Sequence, residues 1–300
     1  MSGFVYAGGA WPDVVRKILK SDMSDILDSA ALGGIIYALT NDANYIYATS
    51  SSLTKVRKIL KSDMSTVLDS ADYGGTIYAL TEDTNYIYAA GLTLNKVRKI
   101  LKSDMSTVLD SASYGDTIFA LAEDADYVYA AGYGRVRKIL KADMTTILDS
   151  VSDYGTIYAL AEDADYVYAA GVNQAVYKIL KSDMSAVTHS SGYGGTIRAL
   201  AAEDINYVYV AGYTRTKVEK ILKSDMSYVA DSAAFGTLRA LAEDTDYIYA
   251  AGTTTYKVRK ILKTDMSTVL DSASYGGTIY ALAEDAGALA LGRSWGYILG

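Results

Sequence analysis

Seven methionines follow the initiator, at Met23, Met64, Met105, Met144, Met184, Met226 and Met266, in steps of 41, 41, 39, 40, 42 and 40 residues. Each stands in the same stretch of sequence, which in its commonest form reads KVRKILKSDMSTVLDSASYGGTIYALAEDADYVYAAG. A period near forty means one supersecondary unit copied seven times, each copy needing its neighbours to bury its apolar face. A chain of 300 residues would suggest two domains on length alone. The repeat instead makes residues 1–286 one domain and leaves 287–300 as a tail outside the pattern.

One copy, from Val97 to Gly132, shows what the unit is. Thr117-Ile118-Phe119-Ala120-Leu121 is a short β-branched and aromatic run, a strand signal. The polar turn Glu123-Asp124-Ala125-Asp126 leads to a second strand, Tyr127-Val128-Tyr129-Ala130-Ala131, and the two read as a hairpin. Val97 to Lys102 is a third strand. Ser103-Asp104-Met105-Ser106 is a turn, with Asp and Ser able to bond their own backbone. Thr107 to Asp110 is a fourth strand, and Ser113-Tyr114-Gly115 leads into the next copy. Val97, Ile100, Leu101, Met105, Val108 and Leu109 also fall at helical spacing, so a ββα unit competes. The Ser-Asp-x-Ser recurring inside that stretch favours a turn.

Four strands in forty residues, seven times over, predict an all-β fold: a closed seven-bladed β-propeller with four-stranded blades. The chain opens with Phe4-Val5-Tyr6-Ala7-Gly8, a second strand, and its last good match, Thr278 to Asp285, is a first strand. The N-terminal strands therefore pair with the C-terminal inner strand, complete the seventh blade, and remove exposed edges. The pattern Y-V-Y-A-A-G … V-x-K-I-L-x-S-D-M-S-x-V resembles the repeat grammar of quinoprotein-like and YVTN-type propellers over residues 4–285. That resemblance implies the fold and carries over no quinone or calcium site. The Gly-His and Trp-Asp marks of WD40 repeats and the paired glycines of kelch are missing.

Composition excludes several classes. Net charge is −7, which argues against a nucleic-acid surface. With no cysteine there is no disulfide framework, zinc site or thiol nucleophile. The opening MSGFVYAGGAW lacks the basic start and apolar core of a signal peptide. No apolar run approaches the roughly 18 residues of a membrane span, so no membrane insertion is expected. No cofactor is expected either.

The copies differ most in the segment joining the second and third strands: GGAWPD, TSSSLTK, GLTLNK, GYGR, GVNQA, GYTRTK and GTTTYK. Diversity on a uniform scaffold is where binding resides. In a propeller these loops share a face with the connections between blades, which hold Leu32, Tyr73, Tyr114, Tyr154, Tyr193, Phe235 and Tyr275. That face is expected to carry an aromatic ring among diverse loops bearing Trp11, Tyr133, Arg135, Tyr213, Arg215 and Tyr256. The functional reading is a multivalent face for a glycan or protein partner, since aromatics offer stacking area at little entropic cost. The structural reading is that the Tyr-Gly pairs plug gaps between blades and that the tips drift.

Other candidates are weighed the same way. At one inner-strand position stand Tyr37, Tyr78, Phe119, Tyr158, Arg198, Arg239 and Tyr280. Adjacent Arg198 and Arg239 suit a carboxylate or phosphate, or pair with acidic neighbours between blades. Glu-Asp-x-Asp/Asn recurs, as at Glu123-Asp124-Asp126. Such oxygens can bind calcium, but the full loop is absent, and a solvated turn on an acidic lower face is expected. Asp69, Asp110, Asp149, Asp231 and Asp271 read as structural, bonding the backbone of the turn into the next blade. His189 replaces that Asp in one copy, and one histidine makes neither a triad nor a metal site.

The reading is a non-enzymatic recognition or structural module, on a virion, an appendage or a cell surface. Two alternatives stay open: an intracellular protein-interaction scaffold, and an enzyme with a site at the central channel near Arg198 and Arg239.

Overall fold

A computed structural model describes residues 3–150 and 154–285; the tail at 287–300 lies outside them. The described residues form 28 strands in seven four-stranded sheets. Blade 1 joins Phe4–Gly9, Val15–Leu19 and Asp25–Asp28 to the inner strand Ile279–Glu284. Blades 2 to 7 span residues 36–69, 77–110, 120–149, 157–189, 197–231 and 238–271. Closure takes the expected form, Val5 to Gly8 pairing antiparallel with Glu284 to Ala281. In the copy from 97 to 132 the outer strand is Thr107–Asp110 as expected. The third is trimmed to Arg98–Leu101, and the inner strand, expected over Thr117 to Leu121, is shifted to Ala120–Glu123, taking Glu123 out of the expected turn.

Alternation along each strand sends apolar residues into the gaps between blades. Ala79, Tyr88, Ala90 and Val97 of blade 3 pack on Tyr114, Ile118, Leu121 and Val128 of blade 4. The same cluster recurs around the ring, including between blades 7 and 1 and between blades 1 and 2. At about 1.5–3 kcal/mol for each buried aliphatic side chain, these seams hold the ring together.

The seven periodic methionines mark the turn between third and outer strands. Each sits in the left-handed region, at φ of 57° to 61°, which is uncommon for a residue with a side chain. The turn holds it there. Asp22 accepts the Ser24 N–H at 2.9 Å, the Met23 N–H donates to the Leu19 carbonyl, and the methionine side chain is buried. Backbone crowding underlies a second signature, the glycine that closes the second strand in every blade but blade 2. A Cβ on Gly171 would lie 1.9 Å from the Thr156 carbonyl oxygen.

Lysines lock each blade to the next along the lower face. The first lysine of Lys-Ile-Leu-Lys sits over the aromatic residue that opens the second strand of its own blade. Lys58 lies 4.0 Å from the Tyr45 ring centroid and Lys138 3.9 Å from that of Tyr127. The same ammonium donates to a carbonyl of the following blade, Lys58 to Lys102 and Lys138 to Lys181, at 2.7 and 2.8 Å. This link occurs seven times and closes on itself through Lys260 to Lys20.

The second lysine pairs with carboxylates of two blades at Lys20, Lys102, Lys141 and Lys181. Lys181 meets Glu162 of its own blade at 2.5 Å and Asp124 of the preceding one at 3.1 Å. Asp124 also accepts the backbone N–H of Asp126 and Tyr127 and the Tyr129 hydroxyl. Burial works to raise the Asp124 pKa, but the Tyr129 hydroxyl and Lys181 outweigh it and hold it below the usual carboxylate range. This corrects the expectation of a solvated acidic lower face. In blades 1, 3, 4, 5 and 7 the first two acids of the turn are drawn into ion pairs with lysines, and the exposed oxygens are mainly those of the fourth residue, such as Asp126.

A second correction concerns the repeated aspartates of the outer strand. They face arginines across the strand pair rather than turn backbone. Asp69, Asp110, Asp149 and Asp271 take two-pronged hydrogen bonds from Arg57, Arg98, Arg137 and Arg259 at 2.7–3.1 Å. Where His189 replaces the aspartate, Tyr177 replaces the arginine, and the two rings lie 5.7 Å apart in the same register. Where Glu219 replaces the arginine opposite Asp231, Arg215 and Lys217 from the adjoining loop come within 3.8 Å of the carboxylates. His189 is half of a substituted pair.

Candidate functional site

The upper face collects the connections between blades and the loops between second and third strands, as the strand order requires. The aromatic ring expected there from the Tyr-Gly connections is not displayed: Tyr73, Tyr114, Tyr154, Tyr193, Phe235 and Tyr275 are buried. The Tyr73 N–H donates to the Thr54 carbonyl of the preceding blade. Its hydroxyl accepts from Gly91 and donates to the Lys96 carbonyl of the following one. Tyr275 does the same between blades 7 and 1. Tyr73, Tyr114, Tyr193 and Tyr275 staple blades together through their hydroxyls, and Tyr154, whose buried hydroxyl has no hydrogen-bond partner, does so through its backbone N–H, so the structural reading holds. The odd copy compensates. Leu32 lacks the hydroxyl, and Ser50, standing where other blades have glycine, donates to the Leu32 carbonyl instead.

A different aromatic ring lines the channel. In six blades a β-bulge just after the first inner-strand residue leaves one residue without a partner across the sheet; in blade 2 it falls between Ile36 and Ala38 and skips Tyr37. Bulges re-aim a side chain, and here the skipped residue turns to the axis. Tyr37 meets Tyr78 at 5.3 Å, Tyr78 meets Phe119 at 5.8 Å, and Phe119 meets Tyr158 at 5.3 Å between ring centroids. Tyr280 closes on Tyr37 at 6.4 Å.

Arg198 and Arg239 interrupt this ring, and a loop residue fills the break. Tyr213 leans inward from its tip and stacks on both arginines. The guanidinium carbons lie 4.4 Å (Arg198) and 5.0 Å (Arg239) from its ring centroid. Tyr158 covers Arg198 from the other side at 4.1 Å and Tyr280 covers Arg239 at 4.6 Å. The result is an arc of tyrosine, arginine, tyrosine, arginine, tyrosine at the channel mouth. Of the two futures weighed for these arginines, pairing with acidic neighbours is not what Arg239 does: its Nε and Nη1 atoms are buried with no hydrogen-bond partner. Tyr133 also leans inward, 5.6 Å from Phe119. Both loop tyrosines directly follow the strand-ending glycine, where the other tips carry residues such as Leu92 or Val172.

The remaining candidates stand on the outer part of this face. Trp11 is 84% exposed and Tyr256 40%, while the inward-leaning Tyr133 is still 48% exposed. Arg135 is tied to Asp149 at 3.2 Å and to the Tyr114 carbonyl, and Arg215 to Glu219 at 3.1 Å. The structure thus brings Arg198, Arg239 and Tyr213 together, with Tyr133 alongside, and spreads Trp11, Arg135, Arg215 and Tyr256 around the rim. Sequence reasoning missed Tyr158 and Tyr280 as partners of the arginines. The available signal was the shared inner-strand position; what it lacked was the bulge that points that position at the axis.

No family model matches this chain, and no curated protein matches it. Among solved structures it is similar to the computationally designed Ika8 protein, with a TM-score of 0.75 at 13% identity over 98% of this chain and 93% of that one. It is also similar to the WD40 β-propeller domain of Doa1, with a TM-score of 0.72 at 10% identity over 92% and 90%. Both likenesses are likenesses of fold. Among the described residues no helix is long and apolar enough to cross a membrane.

Proposed function

We propose that the chain is a non-enzymatic recognition module that binds a partner through its upper face. One observation carries this reading. Differences between the copies gather in the loop tips and at the channel mouth of one face, while the opposite face repeats its lysine links almost without change. A face built for strength alone has no reason to display Trp11, Leu92, Tyr133, Val172 and Tyr256, each at least 38% exposed. A glycan on a cell or virion surface suits the aromatic tips, which stack on sugar rings at little entropic cost. The aliphatic tips Leu92 and Val172 favour the alternative, a protein partner and a scaffold role. Kinship with YVTN-type repeats belongs with this reading.

The test pairs a glycan array with a pull-down, using wild type and Trp11→Ala, Tyr133→Ala and Tyr256→Ala. Weak hits to related glycans that vanish in these variants support the surface role. A single protein captured by wild type and lost by them supports the scaffold. Turnover of a small molecule, abolished by Arg198→Ala or Arg239→Ala, would overturn both in favour of an enzyme at the channel.

A further inference from the structure

We propose that the channel mouth is an oxyanion site, formed by Arg239, Arg198 and the Tyr213 wedge, for a small ligand carrying a carboxylate or phosphate group.

The chain treats its arginines in different ways. Arg16, Arg57, Arg98, Arg137 and Arg259 each hold an aspartate of their own blade in a two-pronged bond. Arg135 and Arg215 reach carboxylates from the rim. Arg239 is 9% exposed, and its neighbours are the rings of Tyr213 and Tyr280. A guanidinium presents two kinds of surface: faces that stack on aromatics, and an edge whose N–H groups lie in plane. Here tyrosines cover the faces, leaving the edge to do the recognition. The edge of Arg239 holds two N–H donors with no acceptor. A buried donor left unsatisfied carries its full desolvation cost, more for a charged group, and an in-plane oxyanion removes that cost.

Symmetry sharpens the point. Four sister blades place tyrosine and one places phenylalanine at this position, and those five aromatics form a continuous arc of ring contacts from Tyr280 to Tyr158. Tyrosine therefore satisfies the fold there, and arginine is not needed to build it. Two positive charges stand side by side, within about 5 Å of one tyrosine centroid, on a chain of net charge −7. The cavity beside Arg239, lined also by Tyr37, Tyr280, Leu160 and Leu200, has room on the order of a single water. The ligand accordingly sits at the mouth and sends only its anionic group inward. Both free donors of Arg239 are shielded from solvent, so binding shifts the half-buried Tyr213 ring that lies against both arginines. The site draws only Tyr213 from the loop tips and uses none of Trp11, Tyr133 or Tyr256, so its failure and the failure of the partner-binding reading are distinguishable.

The experiment is isothermal titration of the full chain at low ionic strength and neutral pH, with inorganic phosphate and with succinate as probes. The variants are R239Y and R198Y, which install the residue of four sister blades, with R135Q and W11A as controls. Circular dichroism checks that each keeps its strands, and if either tyrosine variant fails to fold the other decides. Wild type is expected to show saturable one-to-one binding, at least tenfold weaker in R239Y and R198Y and unchanged in R135Q and W11A. Tighter binding of phosphate assigns a phosphate-bearing ligand; tighter binding of succinate assigns a carboxylate. No saturable binding of either probe by wild type overturns the site, as does equal binding by the tyrosine variants. Loss of partner binding in W11A with anion binding retained shows that the rim and the mouth are separate sites.

Discussion

The two faces of this ring obey different rules. On the lower face each lysine pair is used twice, within a blade and across to its neighbour, so a change in one copy disturbs two. The copies stay alike there. On the upper face the tips join the seams mainly through backbone carbonyls, which leaves side chains such as Trp11 and Tyr256 exposed, and the tips vary in length and content. Sequence variation between repeats thus reports which contacts cross between blades.

The largest test of that contrast is Lys181→Met, which leaves Glu162 and Asp124 without their shared cation in a mostly buried setting. Removing one partner of such a cluster costs about 3–5 kcal/mol, read as a loss of unfolding free energy in urea.

Next comes pH. Asp42, Asp83, Asp124, Asp163 and Asp244 sit below their ordinary pKa; burial opposes this, but tyrosine hydroxyls, backbone N–H groups and lysines outweigh it. Their stabilisation is present above the unfolded value near 4 and drains away as pH falls below it. Glu123 behaves oppositely: burial pushes it up to about 7 despite Lys141, and burial also raises Glu162 and Glu243. The folded state then holds protons that the unfolded chain has released, so stability falls as pH rises from about 4.5 to about 7. Thermal melts against pH are expected to peak between about 4 and 5. Glu123→Gln should flatten the descending limb, and an unchanged limb would mean that Glu123 is not its source.

A smaller effect is expected for Lys138→Met, which keeps the apolar stem but loses the bond to the Lys181 carbonyl and the Tyr127 contact. About 1.5–3 kcal/mol is at stake for a charged hydrogen bond, again by urea unfolding. Smallest is the substituted pair. Tyr177→Arg with His189→Asp restores the combination found in the sister blades. A double-mutant cycle should show favourable coupling of about 0.2–1 kcal/mol, and zero coupling would mean that the pairing in the other blades is incidental.

The strands, both turns, the blade count and the closing pair were legible because they are local or follow from the period. The methionine turn shows this: Asp and Ser at its corners act within five residues. The lysine links were not legible. Lys58 reaches a carbonyl 44 residues away, one full repeat on, and a perfect repeat gives no sign whether a partner lies in the same copy or the next. Tyr73 hid for the same reason, its hydroxyl and N–H serving different blades. The channel mouth was half legible. Arg198 and Arg239 stood out against their sisters, but only the bulge and the inward lean of Tyr213 reveal that tyrosine rings stack on both.

The division of labour between the faces meets its most direct test in the melting temperature of one rim variant, Trp11→Ser with Leu92→Ser and Tyr256→Ser. If the tips stand outside the frame, exposed substitutions add little, and the midpoint stays within about 2 °C of wild type. A drop as large as that of Lys181→Met would show that the rim helps hold the ring together, and the separation of frame from binding surface would fail.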